Sequence, residues 1–112
     1  MDKQCFVLNY QQKIESTPEN YLRLLESGKQ SHCLHSGLVC LKPGENVGEH
    51  STKQYEEMLV ILAGEGMAKV EPDRTFDIKS GCIVYIPPDK SHNVYNTGND
   101  DLSYIYIVTK TK

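Results

Sequence analysis

From Leu34 onward the chain is a succession of short β-prone runs, and turn-forming residues separate them. Turn signals include Pro43-Gly44, Gly64-Glu65-Gly66 and Pro87-Pro88-Asp89. Because no helical stretch lies between the runs, the spacing favours an all-β antiparallel sandwich or barrel over a parallel sheet with crossover helices. The predicted strands are Leu34–Leu41, Val47–Thr52, Glu57–Leu62, Met67–Val70, Thr75–Ile78, Ile83–Ile86, Ser91–Asn96 and Leu102–Val108.

One segment ahead of these strands has helical features. Thr17 suits an N-cap, Pro18 suits the first helical position, and Gly28 can take the left-handed conformation that ends a helix. The apolar stripe at helical spacing consists of Tyr21, Leu22, Leu24 and Leu25. The sequence therefore predicts one short helix over Pro18–Ser27, within an N-terminal arm of residues 1–33 that packs on a barrel of residues 34–112.

Length and charge restrict the class of protein. A chain of 112 residues is one domain that can bury its own core. A formal net charge of −3 with scattered lysines argues against a nucleic-acid surface. No apolar run approaches the roughly 20 residues that span a bilayer, and the N-terminus lacks a secretory hydrophobic region. We therefore predict a cytoplasmic protein with no nucleic-acid or membrane partner.

The cysteines indicate neither a zinc ribbon nor a thioredoxin-type redox site, because no two of them form a C-x-x-C pair. They are Cys5, Cys33, Cys40 and Cys82. We expect small buried thiols in a reducing compartment.

Two segments combine turn residues with side chains that bind metals. His50 and Thr52 are two apart on a predicted strand, so both point to one face, and His92 and Asn96 share a face of another strand. Glu57 is charged yet opens a wholly apolar strand, and a buried carboxylate needs a partner, which a cation would supply. Imidazole and carboxylate together suit a divalent transition metal: Zn, Fe, Mn, Ni or Cu.

These two segments resemble the paired motifs of the cupin family, small jelly-roll barrels that hold a metal between them. The first family pattern is G-x5-H-x-H-x3,4-E-x6-G, and the matching residues are Gly44, His50, Glu57 and Gly64. The second pattern is G-x5-P-x-G-x2-H-x3-N, and the matching residues are Gly81, Pro87, His92 and Asn96. With the adjoining strands the resemblance covers roughly residues 34–108, and it implies a cupin jelly-roll barrel.

Thr52 is the main departure, since the family has its second histidine there; Asp89 replaces the inner glycine of the second pattern. The resemblance implies that the metal ligands retained in this chain are His50, Glu57 and His92. Two histidines and a carboxylate match open sites in oxygen-activating iron enzymes and catalytic zinc sites. The candidate pocket residues beside the metal are Thr52, Gln54 and Asn96.

The resemblance does not fix an activity, because cupin barrels carry dioxygenases, decarboxylases, isomerases, sensors and storage proteins. Arg23 and Arg74 are the only arginines, which disfavours a phosphosugar or dicarboxylate substrate. The leading interpretation is a small stand-alone cupin that binds a divalent transition metal and a small-molecule ligand. The alternatives are a metal-dependent dioxygenase or isomerase, and a metal-free protein that binds or senses a small molecule.

Two runs are apolar at nearly every position, Met58–Leu62 and Ile105–Val108. A strand with one wet face should alternate, so both faces of these strands need cover. If Glu57 points into the barrel, Met58, Val60 and Leu62 must point out. We predict a homodimer that covers this outer face.

Overall fold

The computed structural model describes residues 3–15 and 21–111. Within them the chain forms one helix and nine strands. These are α1 (Tyr10–Glu15), β1 (Tyr21–Leu25), β2 (Leu34–Leu41), β3 (His50–Ser51), β4 (Tyr55–Ala63), β5 (Glu65–Val70), β6 (Arg74–Lys79), β7 (Ile83–Ile86), β8 (Ser91–Asn96) and β9 (Leu102–Lys110).

The strands form two antiparallel sheets. The five-stranded sheet has the order β1-β2-β9-β4-β7, and the four-stranded sheet has the order β3-β8-β5-β6. Apolar side chains from both sheets pack into one core, with Leu59 and Ile61 of β4 against Ala68 of β5 and Val94 of β8. The predicted all-β cupin jelly roll with one short helix is confirmed, and β2, β7 and β8 have the predicted bounds.

The position predicted for the helix is wrong. Tyr21–Leu25 is the edge strand β1, in which Leu22 pairs with Leu38 of β2. Leu22 and Leu24 alternate with Arg23, so the segment also has the period of a strand, and the free edge of β2 supplies its hydrogen bonds. The predicted caps at positions 17 and 18 lie outside the described residues. The helix of the structure, α1, begins instead where the Asn9 side chain accepts a hydrogen bond from the backbone N–H of Gln12.

The N-terminal arm of residues 1–33 thus contributes a strand to the larger sheet. Its division from a barrel of residues 34–112 stays a prediction. Two expectations about the rest of the chain can be compared directly with the structure. The four cysteines are free, and Cys5 and Cys33 are exposed, so the expected burial is wrong for these two. No helix within the described residues is long and apolar enough to cross a membrane.

Strand β4 shows the predicted alternation. Glu57, Leu59 and Ile61 are buried inside the barrel, whereas the intervening Met58 and Val60 are only partly buried on the outer face. This alternation fixes which face of the five-stranded sheet carries the candidate metal ligand Glu57.

Two turns explain residues of the motifs. Gly64 has a φ of 86° between β4 and β5, and a Cβ there would lie 2.3 Å from the carbonyl oxygen of Asp101. Asp89, at the position where the family has glycine, has a φ of 60°. Aspartate is one of the few residues with a side chain that enters this left-handed region readily, so the departure keeps the shape of the turn.

Candidate metal centre

The three predicted ligands converge from both sheets. His50 of β3 is paired directly with His92 of β8, and their ring centroids lie 4.2 Å apart. Glu57 of β4 reaches across from the larger sheet, with its Oε1 3.1 Å from Nε2 of His92. One ligand atom from each of the three residues lies within 4.8 Å of the other two. The arrangement needs only a small contraction to bring all three to bonding distance of one ion, which for zinc is about 2.0–2.2 Å.

Backbone carbonyls orient both imidazole rings. Nδ1 of His50 lies 2.9 Å from the carbonyl oxygen of Gly48, and Nδ1 of His92 lies 3.3 Å from that of Lys90. Because a carbonyl can only accept, each Nδ1 carries the hydrogen and each Nε2 has a free lone pair when the ring is neutral. Metal-binding histidines in proteins typically use this arrangement, since it fixes the tautomer and the ring orientation.

Glu57 and His92 also form a buried ion pair when no cation lies between them. His92 is 3% exposed and Glu57 is 9% exposed. Burial opposes the charged form of His92, but the hydrogen bond and negative charge of Glu57, with the Lys90 carbonyl, outweigh it and raise the pKa of His92 above 6.5. A proton on Nε2 of His92 therefore competes directly with a metal for the same lone pair.

This competition predicts opposite pH dependences for stability and for metal affinity. The folded pKa of His92 is raised, so its ion pair stabilises the metal-free protein fully below pH 6.5, and this contribution is lost as pH rises through the raised pKa. We expect zinc affinity to increase over the same window. Thermal unfolding and zinc titrations between about pH 5.5 and about pH 8.5 measure both trends.

The Glu57→Gln variant is the control, because glutamine keeps a hydrogen-bond acceptor but removes the charge. Its metal-free form should lose the part of the pH dependence of unfolding that the ion pair supplies. An equal slope in the two proteins would contradict the assignment of that dependence to the His92–Glu57 pair.

Thr52 lines the cavity, but its hydroxyl has structural partners. Oγ1 of Thr52 donates to the carbonyl oxygen of Pro87 at 2.9 Å and accepts from the backbone N–H of Lys90 at 3.2 Å. These bonds anchor the loop that leads into β8 and therefore into His92. Thr52 stands where the family has its second histidine, and it therefore holds in place the backbone segment that precedes the candidate metal ligand His92.

The other two candidate pocket residues lie away from the three ligands. Gln54 does not belong to the cavity lining, and its backbone carbonyl oxygen accepts hydrogen bonds from the N–H and the hydroxyl of Thr111. Asn96 is buried and donates to the carbonyl oxygens of Leu41 and Asp100, which ties β8 to the neighbouring chain segments. Asn96 therefore has a visible structural role in this fold.

The three candidate ligands lie in the wall of a cavity of about 570 Å³. Its apolar lining includes Val39, Leu41, Val47, Leu59, Val94 and Val108. The polar lining that the sequence did not single out comes from Tyr21, His35 and Tyr55. The alternation of β9 favoured one of Tyr104 and Tyr106 as a cavity residue, and both line it. The alternation of Leu22, Arg23 and Leu24 indicates a strand, but it would have placed the leucines on the inner face. In the structure Leu22 lies beside Leu38 on the outer face, so no pattern in the sequence assigns Tyr21 to this wall.

A jelly-roll barrel with two histidines and a glutamate converging in its cavity defines the class of protein. A model of the cupin domain matches residues 37–108. The chain belongs to the cupin family.

Two curated relatives are similar over part of this chain. The oxalate-binding protein of Thermotoga maritima is 34% identical over 68 residues, which are 61% of this chain and 55% of that protein. The polyketide synthase CurC of Streptomyces cyaneus is 30% identical over 71 residues, which are 62% of this chain and 45% of that protein. The chain thus spans about half the length of these curated relatives.

Solved structures share the fold. A predicted oxalate decarboxylase from Thermotoga maritima superposes with a TM-score of 0.75 at 27% identity, over 80% of this chain and 78% of that one. A protein from Bacillus halodurans superposes with a TM-score of 0.81 at 20% identity, over 97% of this chain and 83% of that one. The second likeness extends over nearly the whole chain and concerns the fold alone.

Proposed function

We propose that this cupin binds a divalent transition metal through His50, Glu57 and His92, and that a small organic acid binds beside the metal in the cavity. The observation that carries the proposal is the convergence of three ligand atoms within 4.8 Å of one another at the cavity wall. The ion would be Zn, Fe, Mn, Ni or Cu, because two imidazoles and one carboxylate suit this group of metals.

Three protein ligands would leave coordination positions open to a ligand oxygen. Two neutral imidazoles and one carboxylate around a divalent cation leave a net positive charge, which favours an anionic ligand. The metal would then provide the positive charge for an acid, since the described lining of the cavity contains no lysine or arginine. The name of the Thermotoga maritima relative, an oxalate-binding protein, supports the same class of ligand.

We also propose that two copies associate through the outer face of the five-stranded sheet. In one row across this face Ile83, Val60 and Ile105 are neighbours, and in the next row Tyr85, Met58 and Ile107 are neighbours. Ile83 is 65% exposed and Tyr85 is 59% exposed. We call these six residues the outer patch. An apolar patch of this kind supports an interface with another protein surface.

The arrangement of the N-terminal segment supports a second copy as the cover. Helix α1 packs beside β1, and Nζ of Lys3 binds the carbonyl oxygen of Lys29 at 2.7 Å, so this segment lies at the β1 end of the sheet. The outer patch is at the β7 end. Val7 in the same segment is 97% exposed, so each chain offers both an open apolar patch and an apolar arm.

A zinc titration tests the metal proposal. We expect metal-free protein to bind about one zinc ion per chain, because three ligand atoms already lie together. Calorimetry at neutral pH measures this binding. Metal analysis of protein as purified should then identify the ion that the site takes up in cells. A chain that binds no zinc, iron, manganese, nickel or copper in these measurements would contradict the proposal and favour the metal-free binding protein.

A further inference from the structure

Tyr106 occupies an unusual place in the cavity because it leans across its neighbouring strand. It lies on β9 opposite Gly37 of β2, and a Cβ on residue 37 would lie 2.6 Å from Cε2 and 2.8 Å from the hydroxyl oxygen of Tyr106. The absence of a side chain at Gly37 is therefore what lets the ring lie over β2. Its hydroxyl reaches as far as β1.

At β1 the Tyr106 hydroxyl meets one further side chain. It shares a hydrogen bond with the hydroxyl of Tyr21, and the two rings are stacked with an interplanar angle of 13°. Both tyrosines line the cavity. Arg23 lies opposite Gly37 in the register of β1 and β2, but its exposed guanidinium is paired with Glu26 at 3.8 Å.

The tyrosine pair leaves one hydroxyl hydrogen for the cavity. Each hydroxyl can donate one hydrogen and can also accept, so only one of the two hydrogens is used within the pair. When Tyr21 donates to Tyr106, the hydroxyl hydrogen of Tyr106 is left for an acceptor in the cavity. Burial raises the pKa of Tyr106, so Tyr106 keeps its hydrogen at neutral pH.

This donor lies apart from the three candidate metal ligands. Glu57 is on β4 and Gly37 is on β2, on opposite sides of β9. The Cα atoms of Glu57 and Tyr106 are diagonal neighbours, roughly 8 Å apart by the spacing of strands, and the Tyr106 ring extends away from Glu57. The cavity between them is lined by apolar residues such as Val39 and Leu59.

We propose that the Tyr106 hydroxyl, positioned by Gly37 and Tyr21, is a second anchor for the ligand and selects acids whose far oxygen lies several bonds from the metal-bound carboxylate. The anchor rests on the proposed function. It fits a dicarboxylic or keto acid with an apolar middle: one carboxylate faces the metal, the middle contacts the apolar lining, and the far oxygen accepts from Tyr106.

A series of dicarboxylates titrated into zinc-loaded protein tests the anchor. Oxalate is too short to reach Tyr106 and reports on the metal alone, whereas glutarate and adipate can span both. Of glutarate and adipate, we take the acid that binds the wild type more tightly. We expect Tyr106→Phe to lower the affinity for this acid by about tenfold or more, because the variant loses a hydrogen bond to a charged group. Oxalate affinity and zinc stoichiometry should not change. Tyr21→Phe and Gly37→Ala should weaken the longer acids in the same direction, because they remove the orientation of Tyr106.

Tyr95→Phe is the matched control, since Tyr95 is a partly buried tyrosine on β8 that belongs neither to the cavity lining nor to the outer patch. Longer acids that bind Tyr106→Phe as tightly as the wild type, or that do not bind the zinc-loaded wild type, would overturn the anchor and leave the metal proposal standing. If the protein takes up no zinc, the same acids are titrated into the metal-free chain. If the affinity of the metal-free chain for these acids depends on Tyr106, the anchor is supported without a metal. If it does not, both the anchor and the metal proposal are overturned.

Discussion

Replacing His50 and His92 together by alanine is expected to reduce zinc uptake from about one ion per chain to none, because a single carboxylate cannot hold a transition metal at micromolar concentration. The two residues supply both nitrogen donors of the site, and their side chains are adjacent across one strand pair. Calorimetric titration with zinc measures the loss. Circular dichroism should still show the β-sheet signal, since neither ring belongs to the apolar core.

Stability has to be separated from metal binding in this experiment. Removing His92 leaves Glu57 without its buried partner, and an uncompensated buried charge costs about 3–5 kcal/mol. A second variant therefore combines His50→Ala with His92→Gln, because the glutamine amide can still donate to the Glu57 carboxylate. His32→Ala is the matched control, since His32 is exposed and does not belong to the lining of the cavity that holds the three ligands. Undiminished zinc binding in folded double variants would exclude this metal site.

The barrel was predictable from the sequence because its signals are local. Turn residues mark the end of each strand, and the alternation in Glu57–Leu62 states which side chains point inward. The resemblance to the paired cupin motifs also implied His50, Glu57 and His92 as the ligand set, and the structure places one ligand atom of each within 4.8 Å of the other two. The strand inferences depend on the period of a strand or on a turn, which the chain itself determines.

The N-terminal arm was not predictable in the same way. Tyr21, Leu22, Leu24 and Leu25 satisfy helical spacing and strand alternation almost equally well over five residues. Whether this segment forms a helix or a strand depends on the free edge of β2, which lies further along the sequence. Such tertiary contacts override local propensity. The same error hid Tyr21 from the cavity, because a residue assigned to a docking helix is not considered as lining.

Thr52 shows a second limit. In the sequence, Thr52 marks the loss of a histidine ligand. Only the structure shows that its hydroxyl is hydrogen-bonded to the backbone of Pro87 and Lys90. A substitution within a motif does not disclose whether the new side chain leaves a gap or takes another partner. Its partners here belong to the loop before His92, so the position still serves the candidate site.

The state of association gives the other large expected effect. We expect wild-type protein at tens of micromolar to sediment as a dimer and Val60→Lys to sediment as a monomer, which halves the mass. Val60 is central in its row of the outer patch, with Ile83 on one side and Ile105 on the other. A lysine there would bring an unpaired charge into the contact between two copies, and the desolvation of that charge would oppose association.

The outward position of Val60 keeps this test specific, because a lysine can extend into solvent in the monomer without entering the core. Phe76→Lys is the matched control: it adds the same charge to a partly exposed aromatic residue on β6 of the other sheet and should leave the dimer intact. Ile83→Lys, at a position that is 65% exposed in the single chain, should also give a monomer. A wild-type protein that sediments as a monomer would refute the proposed interface. The partial burial of Met58, Val60, Ile105 and Ile107 would then be all the cover that this face requires, and the exposed arm around Val7 would have no role in association.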